Sequence, residues 1–85
     1  MLAKLKGVDL SDVEQKLAAD ASAHAEQGMH LEHLWTDADH PNEVLFLFRV
    51  DDLEHCRRLM ERVHMEARLE NPRANLPETI FLDGP

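Results

Sequence analysis

The chain has 85 residues, enough for one small domain (1–85) that buries only roughly 60 to 65 % of the surface its unfolded form would expose, which excludes a second core. Hydrophobic residues make up 44 % and charged residues 31 %, a balance that excludes disorder. With 9 Lys+Arg against 17 Asp+Glu the formal net charge is −8, which repels phosphate backbones and anionic membrane surfaces, so neither nucleic acid nor a membrane is an expected partner.

Met1 to Val8 alternates, with Leu2, Lys4 and Lys6 on one face and Ala3 and Leu5 on the other, and this predicts a first strand. Ser11-Asp-Val-Glu14 has the form of a capping box, so a helix is expected to begin there. Its apolar stripe is Leu10, Val13, Leu17, Ala21 and then His24 or Ala25, and Gly28 can close it after about Gln27. Met29 to Thr36 reads as a strand with Leu31, His33 and Trp35 on one face and His30, Glu32, Leu34 and Thr36 on the other. Asp37 to Glu43 is dense in turn formers, Pro41 and Asn42 among them, and is expected to be a hairpin loop.

Val44 to Val50 is polar only at Arg49 and β-branched or aromatic at four of seven positions, which predicts a central strand covered on both sides. Its core, Val44 to Phe48, is the longest apolar run and falls far short of the roughly 20 residues of a spanning helix. No leader of basic, apolar and small residues opens the chain. Asp51 or Asp52 can cap a second helix whose inner stripe is Leu53, Cys56, Leu59, Met60, Val63 and Ala67, with Asn71-Pro72 as its stop. Arg73 to Pro77 is a loop, and Glu78 to Asp83 is a last strand ending at Gly84. Cys56 is the only cysteine, so an intrachain disulfide and every CxxC motif are excluded; with no targeting signal, a cytoplasmic location is expected.

The order β-α-β-β-α-β predicts an α+β, ferredoxin-like domain: a four-stranded antiparallel sheet with two helices on one face. The other face then carries Leu45, Leu47 and Arg49, or else Val44, Phe46, Phe48 and Val50. Either row is large and apolar, and burying each such side chain is worth about 1.5 to 3 kcal/mol. A homodimer through the sheet face is therefore expected, with Leu45, Leu47, Phe46 and Phe48 as the candidate interface and Lys4 and Lys6 marking the open side, where Glu32 or other acids could meet them.

Three segments, His33-Leu-Trp35-Thr-Asp37, Asp39-x-Pro41-Asn42-Glu43-Val44 and Leu47-Phe48-x-Val50-x-Asp52-Leu53-Glu54, resemble small bacterial proteins of the dimeric α/β-barrel superfamily, related to the antibiotic-biosynthesis-monooxygenase-like domains. The resemblance covers about His30 to Glu54 as residues and most of the chain as topology. It implies a ferredoxin-like protomer whose sheet packs on a second protomer's sheet. Its members include cofactor-free oxygenases, haem-binding enzymes and lactone isomerases, but no catalytic signature of theirs maps onto this chain, which also has no tyrosine to anchor a ligand.

The candidate catalytic residue is His33, which two-residue spacing sets beside Trp35; an imidazole there could move a proton while the indole stacks a planar ligand. Trp35, His24 and Arg49 are the ligand-binding candidates, and His64 borders the inner stripe of the second helix. The competing reading makes Trp35 a core or interface aromatic. No metal or cofactor is expected: His30 and His33 are an odd number apart on a strand and point to opposite faces, and only a bent loop gathering Asp37, Asp39 and His40 could build a metal site. Cys56 on a buried stripe acts as a small hydrophobe, and the charged face of the second helix, Glu54 to Glu70, is solvated.

The reading that follows is a small homodimer that binds a small hydrophobic or planar organic molecule near His33 and Trp35, or acts as an accessory protein. One alternative is a cofactor-independent oxygenase or isomerase with a histidine proton shuttle, which requires a pocket of a few hundred cubic ångströms exposing an imidazole. Another is a regulatory ligand-binding module of the amino-acid-binding type.

Overall fold

The computed structural model describes all 85 residues. Its elements are β1 (Leu2–Lys6), α1 (Leu10–Ala19), α2 (Ala21–Glu26), β2 (Met29–Asp37), β3 (His40–Val50), α3 (Leu53–Glu70) and β4 (Glu78–Ile80). The strands form one antiparallel sheet in the order β2-β3-β1-β4, compatible with the ferredoxin-like arrangement. No helix is long and apolar enough to cross a membrane.

The first helix differs from expectation at both ends. Asp9, not Ser11, is the N-cap: it sits in extended backbone and its carboxylate accepts from the Ser11 amide at 3.0 Å, which leaves Ser11 inside the first turn. A charged acceptor at this position also meets the positive end of the helix dipole. The helix then breaks at Asp20, whose amide donates to Lys16 O at 3.1 Å and whose carboxylate holds Lys16 Nζ at 2.8 Å, so the expected single helix is two. Gly28, at φ +74°, turns α2 into β2.

The hairpin is tighter than the seven-residue loop expected. Asp37 Oδ1 accepts from the Asp39 amide at 2.9 Å, closing a short turn that sets Asp37 opposite His40. Pro41 is tolerated within β3 because β1 pairs only as far as Glu43 and the β2 ladder skips from Asp37↔His40 to Thr36↔Val44, so neither neighbour asks a ladder bond of the proline. The second capping expectation holds: Asp52 accepts from the His55 amide at 3.0 Å, and α3 stops at Asn71 in extended backbone ahead of Pro72. The last strand is only Glu78–Ile80, because Phe81 leaves the sheet to lie under the Arg57 guanidinium, 4.6 Å from its ring centroid.

The core is ten buried residues, with Ala3, Val44, Phe46 and Phe48 from the sheet packed under Val13 and Leu17 of α1 and Cys56 and Leu59 of α3. That settles which row of β3 faces the helices. Phe46 and Phe48 are 7 % and 3 % exposed and belong to the core, so they are withdrawn from the outward set, which is Leu45, Leu47 and Arg49.

The reassigned cap has a direct consequence. Asp9→Ala should destabilise the protein by about 1 kcal/mol in urea unfolding, while Ser11→Ala should change it by less than about 0.5 kcal/mol; the reverse order would restore the capping box.

Candidate functional site

Residues opposite one another in an antiparallel pair share a face. The register therefore writes out the face without helices. One row crosses all four strands as Ile80, Leu2, Leu47 and His33, and the next as Glu78, Lys4, Leu45 and Trp35. On the edge strands Trp35 is 45 % and Ile80 56 % exposed, and between them Leu2, Leu45 and Leu47 are partly exposed, so this face is apolar and open in the single chain. Both ends of the patch are charged. Glu43 holds Lys4 at 3.7 Å and Lys6 at 3.9 Å, with Glu78 beside Lys6, while at the opposite end Asp51 accepts from Arg49 at 3.1 Å and lies 3.1 Å from His30 Nε2.

His30, His33 and Trp35 all lie on this open face, which corrects the alternation read from sequence. The ladder steps from Leu31↔Phe48 to His33↔Leu47, so Glu32 is an extra residue, a β-bulge that reverses the phase of the strand. Before it His30 pairs with Arg49, after it Trp35 pairs with Leu45, and Leu31 and Leu34 take the helix side opposite Phe48 and Phe46. His33 and Trp35 do meet, their rings stacked at 4.9 Å and 13°, but on an open surface and not in a pocket. Arg49 shares that surface, spent on Asp51.

His24 alone of the candidates lies on the other side. Its imidazole meets the Phe48 ring edge-on at 5.1 Å, at the inner end of a cleft between α1–α2, α3 and the sheet. The cleft has a volume of about 1110 Å³. It is an open groove lined by Ala3, Leu5, Phe46 and Phe48 of the sheet, of which only Leu5 is not already buried, by Val13 and Leu17 on one side and Met60, Val63 and His64 on the other, with Leu76 and Pro77 at one end. The helices straddle the sheet without meeting over its middle, and a sequence read one element at a time carries no signal of that gap. The only trace was the placing of His24 and His64 on inner stripes.

The cleft contains one unusual histidine. Burial, helped by the charge of Arg68, holds His64 below its ordinary value of 6.5, so it is neutral at pH 7 and can accept a proton or hydrogen bond. Cys56 lies on the inner side of the same helix, 1 % exposed with its Sγ 3.9 Å from Met1 Sδ, and burial pushes its thiol up from the ordinary value, which disfavours the nucleophilic thiolate.

At the hairpin tip Asp37, His40 and Glu43 bring one ligand atom each within 4.8 Å of one another, where the sequence had suggested Asp37, Asp39 and His40. His40 Nδ1 is 3.5 Å from Asp37 and 3.4 Å from Glu43. Glu43 is shared with Lys4 and Lys6, which makes the tip an ion-pair network with both signs present. The Asp39 amide, more than His40 or Lys4, holds the Asp37 carboxyl below its usual range.

No protein-family model, no curated protein and no solved structure matches the chain.

The lowered His64 makes stability depend on pH. The unfolded chain binds that proton at higher pH than the folded one, so stability should fall as pH drops from 6.5 toward the lowered folded value and be unaffected by this group above it. His64→Gln should flatten that part of the curve, and proton NMR should place the His64 midpoint below 6.5; a midpoint at or above 6.5 would contradict the buried placement.

Proposed function

We propose that the protein binds a small, largely apolar organic molecule in the cleft between its helices and its sheet, and that it does so as a homodimer whose protomers meet through the open sheet face. The observation that carries the reading is the cleft itself. It is an open groove somewhat larger than the usual ligand site, lined mostly by apolar residues, and furnished with two imidazoles, His24 and His64, that can fix an orientation.

The dimer and the cleft occupy opposite faces and do not compete. Apolar rows built on Leu2, Leu45, Leu47, Trp35 and Ile80 supply the surface to bury, and both signs of charge lie at its margins, so a two-fold copy can set Lys4 and Lys6 or Arg49 against acids of its mate. The pocket expected beside His33 and Trp35 moves, in this reading, to the other side of the sheet. His33 and Trp35 become part of the contact.

A second reading is favoured by one observation, the neutral imidazole of His64 facing the cleft. A cofactor-independent isomerase or oxygenase needs a base of this kind against its substrate, and in that case His64, with His24 as the other proton carrier, takes the part first given to His33.

The neutral dye N-phenyl-1-naphthylamine tests the binding reading. It should become fluorescent in the wild-type cleft, and Val63→Trp, which fills the mouth from a position already 43 % exposed, should weaken its binding at least tenfold while leaving the helical circular dichroism intact. Equal binding by the two proteins would place the dye elsewhere and remove the reading's support.

A further inference from the structure

The apolar surface still open in the cleft is shared with one imidazole. On the sheet side Ala3, Phe46 and Phe48 are already buried by the chain's own atoms, and what remains free belongs to Leu5, Val8, Met60, Val63, Leu76 and Pro77. His64 is part of that surface: it follows Val63 on α3, stands one turn beyond Met60 and is half-buried. The side-chain hydrogen bonds and ion pairs of histidines fall to His30, His40 and His55, so the His64 ring has no partner in the chain. A molecule lying on Met60 and Val63 therefore covers an imidazole that nothing in the protein pairs once it is charged.

Charged groups surround the cleft, but few reach this ring. On its own helix Glu61 lies one turn back and exposed, and Arg68 one turn on. Across the opening stand Asp9, Asp12, Lys16 and Asp20 along α1, with Lys16 Nζ and Asp20 Oδ2 joined at 2.8 Å, and His24 on α2. On the sheet side the buried Met1 ammonium donates to Phe48 O at 2.7 Å, while the lining residues of β3, β4 and the loop before β4 carry no charge. Of all these, Arg68 is the charge that His64 feels, and it is of the wrong sign to hold an imidazolium. His24 differs, because Asp20, held below its ordinary range chiefly by its bond to Lys16, is also lowered by the charge of His24.

We propose that the cleft releases its apolar ligand on acidification, with His64 as the switch. The inference rests on the small-molecule reading above and adds the regulation of that site. Covering the ring removes its water, a loss that costs the imidazolium far more than the neutral imidazole. The ligand thus binds the neutral form better, and by linkage the proton and the ligand exclude one another. Burial and, after it, the charge of Arg68 already hold this histidine below 6.5, so the cleft is fully competent above that value and loses affinity below it.

N-phenyl-1-naphthylamine stays uncharged over the range in which histidine titrates, so the pH dependence of its binding reads the protein. Over the range in which helical circular dichroism is unchanged, the wild type should hold the dye equally well above 6.5 and release it progressively below, by up to about tenfold in dissociation constant per pH unit. His64→Gln, neutral at every pH, should bind with a constant that varies by less than about twofold across the same range, whereas His24→Gln should keep the wild-type dependence. Linkage supplies a second readout: saturating dye should move the proton NMR midpoint of His64 further down. Binding that is independent of pH or tighter in acid, a dependence that survives in His64→Gln or vanishes in His24→Gln, or a midpoint that the dye leaves unmoved overturns the switch while the binding reading stands. If the dye does not bind the wild type at neutral pH, both are overturned.

Discussion

The structure turns on β3, a strand apolar on both faces in a domain that has helices for only one. Val44, Phe46 and Phe48 go under α1 and α3 and make the centre of the core. Leu45 and Leu47 go to the other side, where Leu2, Trp35 and Ile80 extend them across four strands and no helix packs, leaving the three leucines partly and Trp35 and Ile80 largely exposed. A core of ten residues is small for 85, and each large side chain on the outer face is worth about 1.5 to 3 kcal/mol if buried. In the homodimer proposed above, association through that face would supply what so small an interior does not.

The second constraint is the single extra residue at Glu32. Without the bulge, β2 would carry Leu31 and Trp35 on one face and Leu34 on the other; with it, Leu31 and Leu34 both turn to the helix side, Leu34 against the core and Leu31 still 43 % exposed, and His30, His33 and Trp35 join the outer rows. The bulge thus completes two apolar surfaces at once. It also brings His30 to Asp51, where the Arg49 pair and the Asp51 amide bond to Gly28 O at 2.9 Å tie the start of β2 to the end of β3. One side of the sheet carries the proposed contact, and the cleft lies on the other.

Much of this was legible from sequence. The strand–helix–strand order, the stop at Asn71-Pro72 and the two apolar faces of Val44 to Val50 all follow from period and from the restriction that proline places on its predecessor. What was not legible has a common cause. A bulge adds one residue without a change of composition, and Glu32 is an ordinary polar residue of an exposed strand, so counting by twos past it assigned His30 to the wrong face. Asp9 and Ser11 are both good caps, and only the extended backbone at Asp9 decides between them. The turn at Asp37 to His40 depends on one side-chain bond to the Asp39 amide, which Pro41 and Asn42 concealed by resembling a longer loop. The cleft arises from the distance between two helices, a tertiary quantity that no local pattern encodes; His24 and His64 were visible on inner stripes, but the space between them was not.

Sedimentation equilibrium of the wild type beside Leu47→Glu tests the central claim most directly, because Leu47 lies in the middle of the outer face and contributes nothing to the core. The wild type should sediment at twice the 9.8 kDa protomer, and Leu47→Glu as one protomer with native circular dichroism. A wild type that stays monomeric at every concentration, or a Leu47→Glu protein that remains dimeric, would contradict it.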